Sequence, residues 1–406
     1  MALPQNRTAR RTLIASAATV AALATGLAVA PAQAAPAPAK GVVLAAGSPD
    51  AVPGSYLVTL RKDAGFTAGS AEGRGLIAGY GGKVGKTFGA ALDGYTVTLD
   101  AAAARRLAAD PAVATVEQNQ VVRAEATQQN APWGLDRIDQ ADLPLSGTYT
   151  YPDSAGTGVT AYVIDTGVRV SHAELGGRAV NGYDAVDGDT VAQDGNGHGT
   201  HVATTIAGST YGVAKAAKVV AVRVLDDNGS GTTAGVVAGI DWVTAHHAAG
   251  APAVANLSLG GGASTTLDNA VKRSIADGVT YAVAAGNSGV NARNSSPARV
   301  TEALTVGATS NTDAKASWSN YGAVLDLFAP GVSITAGWNT GDTATNTISG
   351  TSMATPHVAG AAAVYLAGHP TATPAQVSTA LVNAATPNKV TSPGSGSPNR
   401  LLRLVR

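Results

Sequence analysis

The sequence predicts an α/β protein with a doubly wound, mostly parallel sheet, preceded by a small α+β domain. Beyond about residue 133, apolar runs rich in β-branched residues alternate with helix-like runs, which is typical of parallel strands covered by helices on both faces. The shorter segment before it combines strand-like alternation with one helix-like run. Composition agrees, because 49 glycines and 4% aromatic residues fit tightly packed layers, and the long apolar runs exclude a collagenous or disordered chain.

Length and charge limit the classes of protein to which this chain can belong. Its 406 residues allow about two or three domains. The 27 basic and 27 acidic residues leave no net charge, which argues against a nucleic-acid partner. Cysteine is absent, so the fold contains no disulfide bonds. We therefore expect a globular, soluble protein that is stabilised by other means.

Residues 1–34 have the three parts of a secretory signal peptide. A basic start is followed by an uncharged apolar run over 13–30 and then by an A-x-A cleavage site at 32–34. The alternative, a membrane anchor, is weaker because the run is rich in alanine and threonine and the cleavage site follows at once. No second stretch approaches membrane-spanning length. We expect a secreted, extracellular protein without a membrane partner; the general and the twin-arginine export routes both stay open.

Composition divides the rest of the chain into a linker and two domains. Residues 35–53 are rich in alanine, proline and glycine, which is typical of a linker. A small α+β domain follows over 54–124, and a polar run over 125–133 separates it from the large domain, 125–406. The small domain is predicted to contain strands over 54–60, 95–99 and 113–122 and a helix over 101–109.

The large domain contains the alternation on which the fold prediction depends. Its apolar runs predict buried strands, and the longer runs between them predict helices. In a parallel sheet of this kind the working groups lie at the carboxyl ends of the strands. The strands are predicted over 158–165, 218–225, 253–259, 279–285 and 303–307, and the helices over 198–208, 233–249, 267–277 and 352–368.

Three side chains in the large domain could form a hydrolytic site. Asp165 ends a buried strand, where an unpaired carboxylate would be costly. His198 lies between glycines, which let a backbone or a substrate pass close. Ser352 follows a small-residue turn at the start of an alanine-rich helix, where unpaired N–H groups and the helix dipole favour negative charge. That position suits an acyl-transfer nucleophile.

Each of these residues alone has a simpler explanation. Ser352 could be a helix cap, and Asp165 could likewise only cap backbone groups. His198 and His201 could be a zinc pair at helical spacing, although no third ligand motif accompanies them. The glycine run over 195–199 lacks the third spacing of a dinucleotide-binding fingerprint.

Five segments taken together resolve these alternatives, because they resemble the signature segments of the subtilases and, in detail, those of the proteinase K-like branch of secreted bacterial peptidases. The resemblance covers residues 133–406. One departure is Thr204, where that branch usually has glycine. The five segments are Asp-Thr-Gly at 165–167, His-Gly-Thr-His-Val-Ala at 198–203, Asn-Leu-Ser-Leu-Gly-Gly at 256–261, Ala-Ala-Gly-Asn-Ser at 284–288 and Gly-Thr-Ser-Met-Ala-Thr-Pro-His at 350–357.

The resemblance implies a subtilisin-like fold and a serine endopeptidase that works through an acyl-enzyme. Ser352 would be the nucleophile, His198 its general base and Asp165 the carboxylate that orients the imidazole, in the chain order of the subtilisin arrangement. An alcohol needs such a base at neutral pH. The side-chain amide of Asn287 and the backbone N–H of Ser352 would bind the oxyanion.

Two other functions fit the sequence less well. A secreted scaffold protein that keeps this fold without activity would have no reason to keep all four catalytic positions. An α/β-hydrolase esterase would need G-x-S-x-G with the acid and the histidine after the serine. Here the serine comes last, and the motif is Gly350-x-Ser352-x-Ala354.

The resemblance also implies the substrate-binding segments. Two rims would pair with an extended peptide through main-chain hydrogen bonds, which demand little of the substrate's sequence. Small, uncharged walls would leave a roomy first specificity pocket, so we expect protein and peptide substrates, broad specificity and a preference for apolar residues. The residues are Ser258, Leu259 and Gly260 on one rim, Gly229, Ser230 and Gly231 on the other, and Ala284, Ala285 and Gly286 at the pocket.

Structural calcium is the expected cofactor, because a cation bound to the native state would stabilise a chain without disulfides. By resemblance, the carboxylate of Asp326 and the carbonyl oxygens of Thr301 and Ala303 form one site, and oxygen ligands suit calcium. Two weaker candidates stay open. One is Asp136, Asp139 and Gln140, which has Ser146 and Thr148 where relatives supply stronger ligands; the other is the acidic loop with Asp184, Asp187, Asp189 and Asp194, for which ordinary solvation is the preferred interpretation.

The small domain, 54–124, resembles the inhibitory propeptides of subtilases. We expect a self-processing precursor that cuts itself between Arg123 and Asn130, giving a mature start near 126–130. This prediction assumes that the first strand of the large domain begins only at Gly158. The freed propeptide would then act as an inhibitor, and the mature enzyme is expected to work alone as a monomer.

Overall fold

The computed structural model describes residues 41–48, 51–121 and 125–405. The predicted signal peptide, 1–34, lies outside the described residues. The chain forms two compact units, residues 1–120 and 121–406. No helix in the described ranges is long and apolar enough to cross a membrane.

The first unit is an α+β domain, as predicted. Its five strands form one sheet in the order β1-β5-β2-β4-β3, in which β1 and β5 are parallel and the other pairs are antiparallel. Its apolar core lies between this sheet and the helices, with Tyr95, Ile77 and Leu107 fully buried. The elements are β1 (Val43–Leu44), β2 (Ala51–Leu60), α1 (Ala71–Gly79), β3 (Lys83–Phe88), β4 (Gly94–Thr98), α2 (Ala101–Leu107) and β5 (Val113–Gln120).

Two details of this unit differ from the prediction. The proposed linker, 35–53, is partly structured, because β1 pairs with β5 and β2 already begins at Ala51. Helix α1 and strand β3 were not predicted. Helix α1 contains glycine at 73, 75 and 79, and Gly85 interrupts β3, so neither has the apolar period of a regular element.

The second unit is built on a nine-stranded sheet in the order β19-β20-β16-β15-β13-β11-β8-β10-β9. All neighbouring strands are parallel except β19 and β20, which form an antiparallel pair at one edge of the sheet. The sheet strands are β8 (Thr160–Asp165), β9 (Ala179–Asp184), β10 (Lys218–Arg223), β11 (Ala253–Leu257), β13 (Thr280–Ala284), β15 (Leu304–Thr309), β16 (Leu327–Pro330), β19 (Thr386–Pro387) and β20 (Arg400–Leu401). Shorter ladders are formed by β6 (Glu125–Gln129) with β7 (Thr148–Pro152), β12 (Gly261–Gly262) with β14 (Ser295–Ser296), and β17 (Ile334–Gly337) with β18 (Thr345–Ile348).

Helices cover both faces of this sheet, which confirms the doubly wound prediction. Side chains of β8 alternate between the two cores: Val163 lies in the core beneath α4, α7 and α8, and Ile164 in the core beneath α5 and α6. The helices of the unit are α3 (Trp133–Ile138), α4 (His198–Ala207), α5 (Thr233–His246), α6 (Thr265–Asp277), α7 (Thr351–Gly368) and α8 (Pro374–Ala384).

The first strand of the second unit begins earlier than predicted. The polar run after Glu125 forms β6, which pairs antiparallel with β7 from Glu125 opposite Pro152 to Gln129 opposite Thr148. The assumption that the first strand begins at Gly158 is therefore wrong. The reason is that the two strands form a small surface ladder, in which β6 alternates exposed and half-buried residues and needs no apolar face.

Helix α7 is buried along most of its length and packs against α4, β11, β13 and β15. Its small alanine and glycine side chains allow this close approach to the sheet. The N-terminal cap of the helix is Gly350, which follows shortly after β18 ends at Ile348. Residue 352, in the first turn of this helix, lies beside Ser258, which directly follows the carboxyl end of β11.

Candidate active site

Asp165 ends β8, as predicted, and its side chain is completely buried. Its Oδ1 accepts a hydrogen bond of 2.7 Å from the backbone N–H of Thr166 and another of 2.7 Å from Nδ1 of His198. A buried carboxylate is tolerated only with such donors. The two bonds fix the carboxylate against the imidazole.

His198 is the first residue of α4, and glycines on both sides allow its neighbours to pack closely. Gly197 has a φ of +115°, and a Cβ there would lie 2.3 Å from the ring of Trp338. A Cβ on Gly199 would lie 2.0 Å from the carbonyl oxygen of Gly167. With these groups packed closely around it, the side chain of His198 is 24% exposed, and it lines a cleft in the surface.

The charge environment of His198 favours its protonated form. Burial alone would lower the pKa, but the charge of Asp165, its hydrogen bond and the charge of Asp194 outweigh burial and raise the pKa of His198 above its usual 6.5. An imidazole with this bias is a better proton acceptor. The geometry at Asp165 also assigns the proton of the neutral ring to Nδ1, which leaves Nε2 free to accept a proton.

Ser352 lies in the first turn of α7 and is bound in both directions to Ser258. Its hydroxyl donates to the carbonyl oxygen of Ser258 at 3.0 Å, and the hydroxyl of Ser258 donates to the carbonyl oxygen of Ser352 at 2.8 Å. The amide of Asn256 donates in turn to the hydroxyl of Ser258 at 2.8 Å. A chain of neutral hydrogen bonds therefore holds the serine.

Pro356 explains why the carbonyl of Ser352 is available for this bond. In a regular helix that carbonyl would accept from the N–H of residue 356, but proline has no N–H. An unsatisfied buried carbonyl would cost roughly 1–3 kcal/mol. Ser258 supplies the missing donor from outside the helix.

The side-chain amide of Asn287 is oriented by Thr351, the first residue of α7. Its Oδ1 accepts from both the backbone N–H and the hydroxyl of Thr351, at 2.9 and 2.8 Å, so the nitrogen must lie on the other side of the amide. A Cβ on Gly350 would lie 3.5 Å from the backbone nitrogen of Ser352 and 3.6 Å from Nδ2 of Asn287. The two N–H donors therefore flank one small space.

The loop that carries Asn287 is held by Asn320, which the sequence analysis missed. The buried Asn320 donates from Nδ2 to the carbonyl oxygen of Ala285 at 2.8 Å and accepts on Oδ1 from the N–H groups of Ser288 and Val290 at 3.1 and 3.0 Å. Thr351 was also missed, although it lies inside the Gly-Thr-Ser motif. Nothing local in the sequence marks Asn320, because its partners lie about 30 residues away.

The structure places the predicted substrate residues around two adjoining cavities. The first, here called the main cleft, has a volume of about 530 Å³ and contains His198 together with the predicted rims 229–231 and 258–260. Three apolar side chains at the cleft were not predicted, because they lie on separate elements: Leu225, Val236 and Leu267.

The second cavity, here called the serine pocket, has a volume of about 370 Å³ and contains Ser352 and Asn287. The predicted segment 284–286 lines it, and Leu259 and Gly260 connect it to the main cleft. None of its lining residues is charged. The walls can therefore accept an apolar side chain and offer no partner to a basic one.

The predicted calcium residues lie just before two adjacent strands, β15 and β16. Asp326 accepts on Oδ2 from the N–H of Thr305 at 2.8 Å, and its own N–H donates to the carbonyl oxygen of Thr305 at 2.9 Å, so its carboxylate lies beside the segment that begins at Thr301. Burial raises the pKa of Asp326 to about 6, against the hydrogen bond from Thr305 and the charge of Arg400. A nearby cation would relieve this cost, and a carboxylate with carbonyl oxygens is the kind of ligand set that suits calcium.

The other acidic candidates are occupied by protein donors. Within the described ranges no group of three or more histidine or acidic side chains could hold a metal ion. Asp136 accepts from the backbone of Ser146 at 3.0 Å and of Gly147 at 2.7 Å. The expectation that the acidic loop is solvated is wrong for two of its members. Asp184 is buried, and its Oδ2 lies 2.7 Å from Nη1 of Arg223. Asp194 is buried beside α4.

Thr204, the departure from the usual glycine, fits without disturbing α4. Its side chain is buried, and its hydroxyl donates to the carbonyl oxygen of Thr200 at 2.8 Å and accepts from the N–H of Gly337 at 2.9 Å. The glycine at 337 supplies the space, since a Cβ there would lie 2.9 Å from the methyl group of Thr204.

Comparison with known proteins gives two family matches. The profile of the subtilase family matches residues 156–401, and the profile of peptidase inhibitor I9 matches residues 55–125. The second match differs by one residue at each end from the predicted 54–124, and most of it lies in the first compact unit.

The curated relatives include proteins of similar length. An extracellular serine proteinase of Thermus sp. (strain Rt41A) is 54% identical over 373 residues, which is 87% of this chain and 90% of that protein. A cuticle-degrading serine protease of Arthrobotrys oligospora is 44% identical over 377 residues, 88% of this chain and 91% of that protein. Among solved structures, a cold adapted subtilisin-like serine proteinase aligns at 54% sequence identity with a TM-score of 0.66, covering 68% of this chain and 100% of that one.

Proposed function

The chain belongs to the subtilase family, and on that basis we propose that it hydrolyses peptide bonds with a triad of Asp165, His198 and Ser352. The family match confirms the resemblance seen in the sequence, and the chain is a serine-type endopeptidase with a subtilisin-like fold. The observation that supports the triad most directly is the bond of 2.7 Å between His198 Nδ1 and Asp165 Oδ1, at the edge of the main cleft.

The proposed reaction begins when the hydroxyl of Ser352 turns from the carbonyl of Ser258 to Nε2 of His198. The imidazole takes the hydroxyl proton as the oxygen attacks the peptide carbonyl, and Asp165 stabilises the imidazolium that forms. His198 then gives the proton to the leaving amine, and an acyl-enzyme remains on Ser352. Water, activated by the same imidazole, hydrolyses the ester and restores the serine.

The space between the N–H of Ser352 and Nδ2 of Asn287 would hold the oxyanion of each tetrahedral intermediate. The amide donor is fixed before substrate arrives, because Thr351 orients Asn287, and the backbone donor belongs to the first turn of α7. Preorganised donors of this kind stabilise the transition state without reorganisation.

The substrate would lie extended between the two rims and pair with the backbone of 229–231 and 258–260. The uncharged serine pocket supports broad specificity with a preference for apolar side chains at the residue before the cut. Leu225, Val236 and Leu267 add an apolar surface further along the main cleft.

The protein would be secreted as a precursor, consistent with the predicted signal peptide and with the extracellular relative. The I9 match supports an intramolecular inhibitor, residues 54–124, that precedes the peptidase domain, 125–406. We expect self-cleavage between Arg123 and Asn130 and a monomeric mature enzyme. The ladder of β6 with β7 favours a cut at the N-terminal end of that window, because a cut inside β6 would remove paired residues.

Structural calcium would bind at Asp326 with the carbonyl oxygens of Thr301 and Ala303. Subtilases commonly bind such calcium, and a cation would stabilise the charged form of the buried Asp326 carboxylate, which burial disfavours. The ion would stabilise the fold and take no part in the reaction.

The test of the catalytic proposal is the Ser352→Ala protein, assayed on casein beside the wild type. Removal of this hydroxyl should abolish proteolysis and self-processing and leave the fold intact. A serine-directed phosphonylating reagent should inactivate the wild type and label Ser352. Clearance of casein by Ser352→Ala would contradict the triad, and an inert wild type would favour a scaffold protein that has kept the fold.

A further inference from the structure

The loop before α4 contains a buried carboxylate that the proposed reaction does not use. Asp194 is 3% exposed, and the hydrogen-bond partners of its side chain in the described part of the chain are hydroxyl and backbone N–H groups rather than basic side chains. Its Oδ1 accepts from the N–H groups of Asn196 and Gly197 at 2.9 and 2.8 Å and from the hydroxyl of Thr166 at 2.9 Å. Its Oδ2 accepts from the N–H and the hydroxyl of Thr200 at 2.9 and 2.6 Å.

These partners belong to two different elements of the catalytic site. Thr166 directly follows Asp165 at the end of β8, and its hydroxyl also accepts from the N–H of Gly199 at 2.9 Å. Gly199 and Thr200 directly follow His198 in the first turn of α4. A single carboxylate therefore connects the residue after the acid to the residues after the base.

We propose that Asp194 is a positioning residue of the triad: it fastens the end of β8 to the start of α4 and keeps a second negative charge beside His198. The proposal rests on the catalytic role of Asp165 and His198. A buried charge accepting five hydrogen bonds is held rigidly, and a displacement of the base by a fraction of a hydrogen-bond length would slow proton transfer.

The charge contributes separately from the geometry. The charged and titratable groups that face His198 are Asp165 from β8, Asp194 from its own loop and His201 from the next turn of α4. His201 is buried and neutral, since burial lowers its pKa to about 4. Asp165 and Asp194 therefore act together to stabilise the imidazolium, Asp165 through a hydrogen bond to the ring and Asp194 through its charge.

Two variants separate the two contributions. Asp194→Asn removes the charge and turns at least one acceptor into a donor, whereas Thr166→Val keeps the charge and removes the link to β8. For Asp194→Asn we expect kcat to fall on the order of 100-fold with KM nearly unchanged, and the acid limb of kcat/KM to move to lower pH. For Thr166→Val we expect a lower kcat and an unmoved acid limb.

The matched control is Asp184→Asn. Asp184 is also buried and also accepts from loop N–H groups, those of Val186 and Asp187 at 2.7 and 3.1 Å, but it is not among the groups that shift His198. This control should keep the wild-type acid limb and kcat. An Asp194→Asn enzyme with the kcat and acid limb of the control would overturn the proposal.

Two further proteins keep the test decisive. If Asp194→Asn does not fold, Asp194→Glu keeps the charge and changes only the reach: a reduced kcat with an unmoved acid limb supports the positioning role, and a wild-type kcat overturns it. Ser352→Ala is assayed in parallel. An active Ser352→Ala enzyme would mean that the triad itself is wrong, whereas an inactive one beside an unaffected Asp194→Asn enzyme would refute only the inference about Asp194.

Discussion

The histidine half and the serine half of the site are held in place by different kinds of interaction. Around the imidazole of His198 the charged groups are carboxylates. Asp165 is hydrogen-bonded to the ring, and Asp194 is hydrogen-bonded to the backbone on either side of His198. Around Ser352 the partners are neutral, and the closest is the hydroxyl and carbonyl of Ser258. The amide of Asn287 is likewise held by neutral groups of Thr351.

The difference separates two properties of the enzyme. Carboxylates and imidazoles titrate, so the histidine half should carry the pH dependence of catalysis. Hydroxyls, amides and backbone groups do not titrate near neutral pH, so the serine half should stabilise the transition state equally at every pH at which the base is active. Four changes test this separation.

The largest effect is expected for Asp165→Asn. This change keeps the shape of the side chain and removes the charge that raises the pKa of His198, so kcat should fall about 10⁴-fold. Because the base acts only when neutral, wild-type activity should be lost as pH falls through a pKa above 6.5, and the variant's acid limb should move below the wild-type one. The measurement is kcat/KM against pH with a small peptide substrate. A variant with the wild-type acid limb would show that the histidine half does not depend on this charge.

A change in the serine half should lower the rate without moving the pH profile. Asn287→Leu removes the amide donor at similar volume, and kcat should fall about 10²- to 10³-fold while the acid limb stays in place. KM should change little, because the donor binds an oxyanion that exists only after attack. A displaced acid limb would mean that the two halves are electrostatically coupled after all.

The halves should behave alike in one respect, because each contains a buried neutral histidine. Burial lowers the pKa of His201 in α4 and of His357 in α7 to about 4. Their contribution to stability is complete above about pH 6.5 and is lost as pH falls towards 4, by up to about 3 kcal/mol each. Asp326, with its raised pKa, works in the opposite direction over part of this range.

The stability prediction can be measured by denaturant unfolding of the inactive Ser352→Ala protein at several pH values. His357→Gln should flatten the decline between about pH 6.5 and 4, even if it lowers stability at neutral pH. Equal slopes for the two proteins would show that His357 is not held neutral.

The smallest effect should come from the proposed calcium site, which belongs to neither half. Chelation should lower the thermal midpoint, since a site kept at a hundredfold excess over its Kd contributes about 2.7 kcal/mol. Asp326→Asn should reproduce much of that loss, and neither treatment should move the acid limb. An unchanged midpoint in chelator would exclude this site.

Much of the fold could be predicted because its main strands and helices are apolar runs of characteristic length, separated by polar and glycine-rich segments. The predicted helix over 233–249 is α5, Thr233–His246, and the predicted strand over 218–225 is β10, Lys218–Arg223. The short or edge elements were missed. Strand β9 contains the turn-like Asn-Gly pair at 181–182, and β16 ends in Pro330, so neither resembles a buried strand in sequence.

One missed element did have a signal. Helix α8 begins with a capping box, in which Thr373 and Gln376 each bond the other's backbone, and a proline follows the cap. These are recognisable marks of a helix start. The apolar period behind them is weak, because only Val377 and Leu381 of the helix are buried.

The residues proposed for the reaction lie in contiguous motifs, so the sequence could indicate them. The residues that hold them could not be found in this way. Asn320 reaches the loop of Asn287 only because β13 and β15 are neighbours in the sheet, and Ser258 reaches Ser352 across 94 residues of chain. Such partners depend on the order of the strands in the sheet, which no local sequence pattern indicates.

Pro356 has a mechanical consequence. The helix bond that would lock the carbonyl of Ser352 to the rest of α7 is missing, and Ser258 holds that carbonyl instead. The position of Ser352 therefore depends on the substrate rim 258–260 as well as on its own helix. A substitution that removes the hydroxyl of Ser258 would remove the donor that replaces the missing helix bond. The segment expected to bind the substrate is thus also part of the support of the nucleophile.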